Sequence, residues 1–304
     1  MSFTGEIKTE LSKLNLDRLE AISQLSGILR NSMTLYNGIK ITTENSSVAR
    51  CVFNLVKNIY GVNALITVRH GYNYNKHYLY ILEINKKEQE IIRDLCLDKN
   101  IPDDYIVDDD VLIKSYLRGV FLASGSVNDP KKSRYHLEIS VDDKEYALFI
   151  KNLLNKYDLK AKTLTRDNRH IIYIKEAEKI GDFLRLMNSI NTLFYYEDIR
   201  IYRDHKNMTN RLNNCEQANV EKTINTALKQ VNNINLIKEA ASLDLLDDKT
   251  KEIANYRLKY KEASLLELSE IITMETGNKI TKSGLYHRFK KIDDLAKRIR
   301  EKSN

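Results

Sequence analysis

Apolar and polar positions along the first 190 residues predict the same order of elements twice. In each half a helix is followed by a strand, a second helix, two strands and a third helix. The first half is predicted to hold helices over about 17–33, 46–60 and 86–97 and strands over 35–44, 62–70 and 76–85. The second is predicted to hold helices over 111–126, 143–157 and 176–189 and strands over 134–141, 159–167 and 169–175. This repetition indicates a duplicated unit with repeats at about 17–97 and 111–189 and pseudo-twofold symmetry.

Strand patterns stop at about residue 203, and the remainder of the chain predicts helices. Apolar positions at helical spacing run over 209–235 and 249–261, and no glycine or proline occurs between 182 and 276. Because both residues loosen or break helices, their absence favours a helical connector over a flexible linker. The predicted fold class is α+β, with a duplicated domain over 1–202, a connector over 203–260 and an all-α domain over 261–304.

The last forty residues carry start and stop signals for two successive helices. Ser264 and Glu267 have the spacing of a capping box at the start of the first. A turn follows, and Thr281 is predicted to cap the second helix, with Ile280 and Leu285 packing around that cap. Two helices in this order predict a helix-turn-helix, although the turn is longer than the usual three or four residues.

The second of these helices has one apolar face and an opposite polar face. Leu285, Phe289 and Ile292 recur at helical spacing and predict a buried face, whereas Ser283 and His287 point the opposite way. A face of small polar and basic side chains suits insertion into the major groove of DNA. The candidate DNA-binding residues are therefore Thr281, Lys282, Ser283, Tyr286, His287, Arg288, Lys290 and Lys291.

Composition is that of an ordinary folded protein. Of the 304 residues 42% are apolar and 30% charged, and no apolar run reaches the length of about 18 residues that a membrane span needs. The N-terminus lacks the apolar core of a secretory signal, and Cys51, Cys96 and Cys215 form no C-x-x-C pair. No two histidines are spaced as a zinc pair. We expect a cytoplasmic protein without a metal, a cofactor or a membrane partner.

The net charge of +7 is concentrated towards the C-terminus. From residue 203 onward 20 basic residues face 15 acidic ones, and over 279–302 nine basic residues face three acidic ones. Local positive charge of this kind suits a polyphosphate partner such as double-stranded DNA. Charge alone favours a solvated helix face over a binding surface, and that alternative stays open.

Two short stretches, 92 residues apart, are closely similar: Leu-Ser-Gly-Ile-Leu-Arg-Asn-Ser at 25–32 and Leu-Arg-Gly-Val-Phe-Leu-Ala-Ser-Gly at 117–125. Both resemble the L-A-G-L-I-D-A-D-G helix of homing endonucleases. The resemblance implies that Gly27 and Gly119, at the third position, let two such helices pack closely. It places Ser32 and Ser124 at the eighth position, where active enzymes carry a metal-holding aspartate. A neutral hydroxyl is a poor ligand for a hard cation, so we expect the scaffold without the nuclease chemistry.

The predicted strands interleave cations with aromatic residues. On a concave sheet such side chains are able to follow a phosphate backbone, so a DNA contact is one interpretation. A half-exposed sheet face with tyrosines at the strand edges is the other, and both stay open. The residues concerned are Arg69, His70, Tyr72, Tyr74, Lys76, His77, Tyr78 and Tyr80 in the first repeat and Lys160, Lys162, Arg166, Arg169, Tyr173 and Lys175 in the second.

Three longer stretches resemble the WhiA family of bacterial sporulation and cell-division regulators. They are 117–130 followed by Tyr-His-Leu-Glu-Ile at 135–139, then 213–223, then 265–268 together with 281–288. The resemblance covers essentially the whole chain and implies a degenerate homing-endonuclease domain joined to a C-terminal helix-turn-helix. We call the helices that contain the stretches at 25–32 and 117–125 the signature helices. Family members usually carry a cysteine before the second signature helix; residues 111–115 contain none, which weakens any redox role.

These observations favour a DNA-binding regulator that is not an enzyme. The resemblance implies sequence-specific binding to promoter DNA, association with the nucleoid, and roles in transcription, cell division, chromosome segregation and, where the organism sporulates, sporulation. The N-terminal domain is expected to bind DNA, a protein partner or both. Two alternatives are kept: a protein-interaction scaffold with an incidental basic tail, and a residual metal-dependent endonuclease.

Overall fold

A computed structural model describes residues 2–35, 38–70, 78–132, 134–241 and 243–303. The chain forms two compact units, residues 1–204 and 205–304. Each unit has an apolar core of its own. Within the described residues, no helix is long and apolar enough to cross a membrane.

The first unit contains the two predicted repeats. The first repeat is preceded by α1 (Phe3–Leu11) and consists of α2 (Arg18–Ser32), β1 (Met33–Leu35), β2 (Ile39–Thr43), α3 (Ser46–Tyr60), β3 (Leu65–His70), β4 (Tyr78–Ile84) and α4 (Glu88–Asp94). The second consists of α5 (Asp110–Ser124), β5 (Gly125–Val127), β6 (Leu137–Val141), α6 (Lys144–Asn155), β7 (Lys162–Arg166), β8 (Arg169–Ile174) and α7 (Ala177–Leu186).

Each repeat forms a four-stranded antiparallel sheet with the same strand order. The orders are β1-β2-β4-β3 and β5-β6-β8-β7. Equivalent pairs occupy equivalent places, since Ile41 lies opposite Leu82 and Ile139 lies opposite Ile172. These four side chains are buried against the helices, and successive residues of a strand point to opposite faces. One face of each sheet is therefore core, and the duplication predicted from the sequence is confirmed.

Three elements were not predicted from the sequence pattern. Helix α1 packs Ile7 and Leu11 into the core with no exposed side-chain surface. A helix of nine residues is marginal alone and depends on such packing. Strands β1 and β5 are three residues long and follow directly on α2 and α5. An alternating pattern of three residues is too short to be recognised in a sequence. Each of these strands is defined instead by its hydrogen-bonded neighbour, which is β2 for β1 and β6 for β5.

The two signature helices, α2 and α5, pack against each other through their glycines. A Cβ atom on Gly27 would collide with the carbonyl oxygen of Tyr116, and one on Gly119 with the carbonyl oxygen of Gln24. Both obstacles are backbone atoms, which cannot rotate away as a side chain can. The expected packing role of both glycines is confirmed.

The second unit is helical. Residues 190–204 of α8 (Ile190–Ala241) belong to the first unit and 205–241 to the second, followed by α9 (Asp248–Lys259), α10 (Leu265–Thr276) and α11 (Lys282–Ser303). Its core joins Leu285 and Phe289 of α11 to Ile234 and Ile237 of α8 and Ile253 of α9. The segment predicted as a connector, 203–260, thus contributes to the same core as the two C-terminal helices.

Candidate nucleic-acid interface

Local hydrogen bonds fix where α10 begins and ends. The Ser264 hydroxyl accepts a hydrogen bond from the Glu267 backbone N–H at 3.2 Å, and the Glu267 carboxylate accepts one from the Ser264 N–H at 2.7 Å. This is the predicted capping box, which satisfies two donors at the helix start. The helix ends at Gly277, whose φ of 73° lies in the left-handed region that favours glycine.

The long turn between α10 and α11 is held by side chains of α10. The Ser269 hydroxyl donates to the Ile280 carbonyl at 3.0 Å, and the Ile280 N–H donates to the Thr273 hydroxyl at 3.3 Å. The Thr281 hydroxyl then accepts from the Gly284 N–H at 3.1 Å, as expected of the predicted N-cap. These bonds fix the start of α11 relative to α10 although the turn exceeds the usual length.

Helix α11 buries one face and exposes the other, as its sequence predicts. Leu285, Phe289 and Ile292 are buried, and the Arg257 guanidinium lies 5.3 Å from the centre of the Phe289 ring. The candidate residues Thr281, Lys282, Ser283, Tyr286, His287, Lys290 and Lys291 are exposed. The polar, basic face of α11 is therefore accessible from outside the unit, while its apolar face packs into the core.

Two candidate cations also face a carboxylate that the sequence did not single out. Arg288 Nη1 lies 3.6 Å from Asp247 Oδ1, and Lys291 Nζ lies 3.5 Å from Asp247 Oδ2. Hydrogen bonds from the Thr250 hydroxyl and backbone N–H, with the charge of Lys291, lower the pKa of Asp247. Arg288 is half-buried, whereas the other candidate DNA-binding residues are exposed. Its side chain is therefore the least accessible of the eight to a DNA partner.

A second acid, Asp293, ties α11 to α8. Its carboxylate lies 3.1 Å from Lys229 Nζ and 3.2 Å from Lys297 Nζ, and it accepts a hydrogen bond from Asn233 Nδ2 at 2.8 Å. Burial by itself would raise the pKa of Asp293, but the hydrogen bonds from Lys229, Lys297 and Asn233 outweigh it and lower the pKa. The ionised form therefore stabilises the packing of α11.

Replacing Asp293 by asparagine is expected to lower the free energy of unfolding at pH 7. The pKa of an unfolded aspartate is about 3.9, and that of Asp293 in the folded unit is lower. Its stabilisation is complete above the unfolded value and is lost as the pH falls through the folded value. In urea unfolding, Asp293→Asn should therefore have a lower free energy of unfolding than the parent at pH 7, and the difference should be much smaller at about pH 3. The exposed neighbour in Asp294→Asn should change little at either pH; equal effects of both variants would contradict this role.

Ser32 and Ser124, at the eighth positions of the two similar stretches, have hydroxyls that are hydrogen-bonded to their own helices. The Ser32 hydroxyl donates to the Ile28 carbonyl at 2.7 Å, and the Ser124 hydroxyl donates to the Val120 carbonyl at 3.3 Å. In the described part of the chain, no group of three His, Cys, Asp or Glu side chains is placed to hold a metal ion. Neither hydroxyl supplies the anionic oxygen that a hard cation prefers as a ligand.

Some of the cations on the uncovered faces of the two sheets lie beside acids. Lys40 lies 3.4 Å from Glu83 on the first sheet, and Arg169 lies 3.6 Å from Asp142 at the edge of the second. Arg166 lies 3.4 Å from Asp167, and Lys160 lies 3.1 Å from Glu176. Tyr80 falls on the covered face, packed against the core. Tyr72, Tyr74, Lys76 and His77 lie outside the described residues.

The fold and this interface define the class of protein. A duplicated LAGLIDADG-like domain is followed by a helix-turn-helix domain, a combination that fits a DNA-binding regulator. Three family models match in sequence order: the WhiA N-terminal LAGLIDADG-like domain at residues 12–98, the WhiA LAGLIDADG-like domain at 113–206 and the WhiA C-terminal HTH domain at 209–296.

Relatives match over the whole chain. The probable cell division protein WhiA of Bacillus cytotoxicus is 43% identical over 99% of this chain and 98% of its own length. The protein of the same name from Enterococcus faecalis is 42% identical over 100% of both chains. A crystal structure of full-length WhiA from Thermatoga maritima is 27% identical, with a TM-score of 0.59 over 98% of this chain and 99% of that one. The chain belongs to the WhiA family.

Proposed function

We propose that this protein is a sequence-specific DNA-binding regulator of transcription without nuclease activity. The observation that carries the proposal is the exposed polar face of α11, backed by the Leu285–Phe289–Ile292 face in the core. A helix about 10–12 Å wide fits the major groove. Curated relatives named for cell division support a role in that process. Chromosome segregation, sporulation where the organism sporulates, and association with the nucleoid are parts of the same proposal.

The exposed residues divide into base readers and phosphate contacts by their position on α11. Ser283 and His287 lie on the middle of the face, four residues apart and thus one above the other. A hydroxyl and an imidazole donate and accept hydrogen bonds, as reading base edges requires. Lys282 and Lys290 carry long cationic side chains suited to phosphates. Lys291 is a weaker phosphate candidate because it already faces Asp247.

A protein partner for the first unit is the second candidate function, favoured by apolar side chains on the uncovered sheet faces. Leu65 and Leu164 are 62% and 39% exposed, and by strand register both lie on the face opposite the core. Since Lys40, Arg166 and Arg169 on these faces lie beside carboxylates, the surface is less suited to a polyphosphate than α11 is. We therefore assign DNA reading to the second unit and protein contacts to the first.

Salt titration of binding by the full-length chain tests this division. Lys282→Glu with Lys290→Glu should weaken binding to any duplex and reduce the slope of log affinity against log salt concentration by about two units, since each phosphate contact contributes about 0.9. The matched control is Lys162→Glu with Arg166→Glu on strand β7, which changes the charge equally at exposed positions of the first unit. That control should bind nearly as the parent does. If the β7 pair lost more slope than the α11 pair, the sheets and not α11 would hold the DNA.

The absence of nuclease activity is tested with supercoiled plasmid and Mg²⁺ or Mn²⁺. Because Ser32 and Ser124 supply no carboxylate, we expect no cleavage beyond that of a Ser32→Ala/Ser124→Ala control. Gel electrophoresis of nicked and linear forms is the measurement. Metal-dependent cutting by the parent protein that the double variant lacks would establish the endonuclease alternative.

A further inference from the structure

A cavity of about 780 Å³ lies in the first repeat, between the segment that joins α1 to α2 and helix α3. Helix α3 packs its apolar side chains into the core on the covered side of the first sheet. The cavity is therefore on the helical side of the repeat and not on the uncovered sheet face. Its volume falls within the range of about 300–1,000 Å³ that is usual for small-molecule sites.

The second repeat has aromatic side chains at places that correspond to Cys51 and its neighbours. The helices α3 and α6 begin at equivalent caps, Asn45 and Asp143, so Cys51 corresponds to Phe149 and Val48 to Tyr146. The Phe149 ring packs edge-on against Tyr116 at a centroid distance of 6.2 Å and is stacked near Tyr146 at 6.3 Å. The hydroxyls of Tyr116 and Tyr146 are 2.8 Å apart.

The first repeat has small or polar residues at these places. Gln24 stands where the second repeat has Tyr116, and its Nε2 atom lies 3.7 Å from Cys51 Sγ. Burial raises the pKa of the Cys51 thiol to about 11, so this part of the wall is uncharged at neutral pH. Cys51 thus lines the cavity of the first repeat, whereas its counterpart Phe149 carries a bulky ring that packs near Tyr116 and Tyr146.

The mouth of the site also differs between the repeats. In the second, the Tyr157 hydroxyl donates to Asp110 at 2.6 Å, and Lys114 pairs with the same carboxylate at 2.5 Å. In the first, the residues equivalent to Tyr157 and Asp110 are Ile59 and Arg18, both of which line the cavity. An isoleucine and an arginine cannot make the closing hydrogen bond, and the mouth stays open.

Three cations line the open cavity above an apolar floor. Lys13, Arg18 and Arg50 are exposed at its rim. Within the residues that the structure describes, none of the three is paired with a carboxylate. The one acid of the lining, Asp17, is engaged elsewhere, since its carboxylate accepts the Glu20 N–H at 2.8 Å. The floor is built from apolar side chains, including Leu55.

We propose that this cavity binds a small organic anion, with its phosphate, sulfonate or carboxylate group held by Lys13, Arg18 and Arg50 and its apolar body on Cys51 and Leu55. Guanidinium groups bind such oxyanions through charge-assisted, often bidentate hydrogen bonds. The amides of Asn54 and Asn58, which also line the cavity, supply donors and acceptors for polar groups between the two ends of the ligand. The second repeat has Phe149, Tyr157 and Asp110 where this site has Cys51, Ile59 and Arg18, so the proposed ligand site belongs to the first repeat.

The probe for this proposal is anilinonaphthalene sulfonate, an organic anion with an apolar aromatic body whose fluorescence rises in apolar surroundings. The full-length protein should bind it at one saturable site. Arg50→Glu removes a charge-assisted contact and adds repulsion, so the dissociation constant should rise about tenfold or more. The matched control is Lys57→Glu, the same charge change at an exposed position of α3 that does not line the cavity and lies two helical turns from Arg50; it should leave the constant within about twofold.

A second pair of variants tests whether the volume of the cavity is needed. Cys51→Phe copies the aromatic residue of the second repeat and should abolish saturable binding, whereas Cys51→Ala keeps the space and should bind as the parent does. Circular dichroism checks folding; if Cys51→Phe does not fold, the exposed Arg50 and Lys57 variants decide alone. Absence of a saturable site, equal effects of Arg50→Glu and Lys57→Glu, or parental binding by folded Cys51→Phe would each overturn the proposal.

Discussion

Replacement of Gly119 by alanine should destabilise the first unit by about 3 kcal/mol, the upper end of the usual range for overpacking. The added methyl group would meet the Gln24 carbonyl oxygen and crowd the backbone nitrogen of Ile28 at 3.1 Å. Neither atom can move without shifting α2 along its whole length. Urea unfolding followed by circular dichroism should show the transition of the first unit at lower denaturant concentration with that of the second unit unchanged.

Gly181→Ala is the matched control for this prediction. Gly181 is also in a helix of the first unit, but its added Cβ would meet the carboxylate end of Glu197, a flexible side chain that can move aside. Alanine also favours helix over glycine by about 1 kcal/mol. The control should therefore be neutral or stabilising. A Gly119→Ala protein as stable as the parent would show that the two signature helices can separate without cost.

The double variant Ser283→Ala/His287→Ala should lose its preference for the cognate site. Each direct base contact is worth about 1–3 kcal/mol of discrimination. If both residues read bases, the difference in binding free energy between cognate and random DNA should therefore shrink by about 2–6 kcal/mol. The cognate sequence is first selected from random duplexes with the full-length protein. Affinities for that site and for a scrambled duplex are then compared at one fixed salt concentration.

Phe289→Ala provides the contrasting outcome on the same helix. Phe289 is buried beneath the exposed face, and its loss should destabilise the second unit by about 3–5 kcal/mol. That variant should lose cognate and random binding together, because the interface itself is disrupted. Retention of the full cognate preference by the Ser283/His287 variant would place base reading elsewhere.

The caps of α10 and α11 and the buried and exposed faces of α11 could be predicted from the sequence because their signals are local. A capping box spans four residues, and the Leu285–Phe289–Ile292 face spans little more than two helical turns. The partners of the basic residues were not predictable. Asp247 and Asp293 contact cations on another helix or a different turn, and one sequence does not reveal which distant acid meets which base.

The sequence by itself determined the duplication, the α+β class, the serines at positions 32 and 124 and the exposed face of α11. These depend on residue identity and on periodicities of two or 3.6 residues, which the chain carries locally. Tertiary structure alone decided that α1 forms, that residues of 203–260 join the C-terminal core, and that Lys40 and Arg169 of the sheets lie beside carboxylates. It also decided that Cys51 lines an open cavity while its counterpart Phe149 packs against Tyr116. Each of these depends on contacts between residues far apart in the chain, where packing and not local pattern determines the outcome.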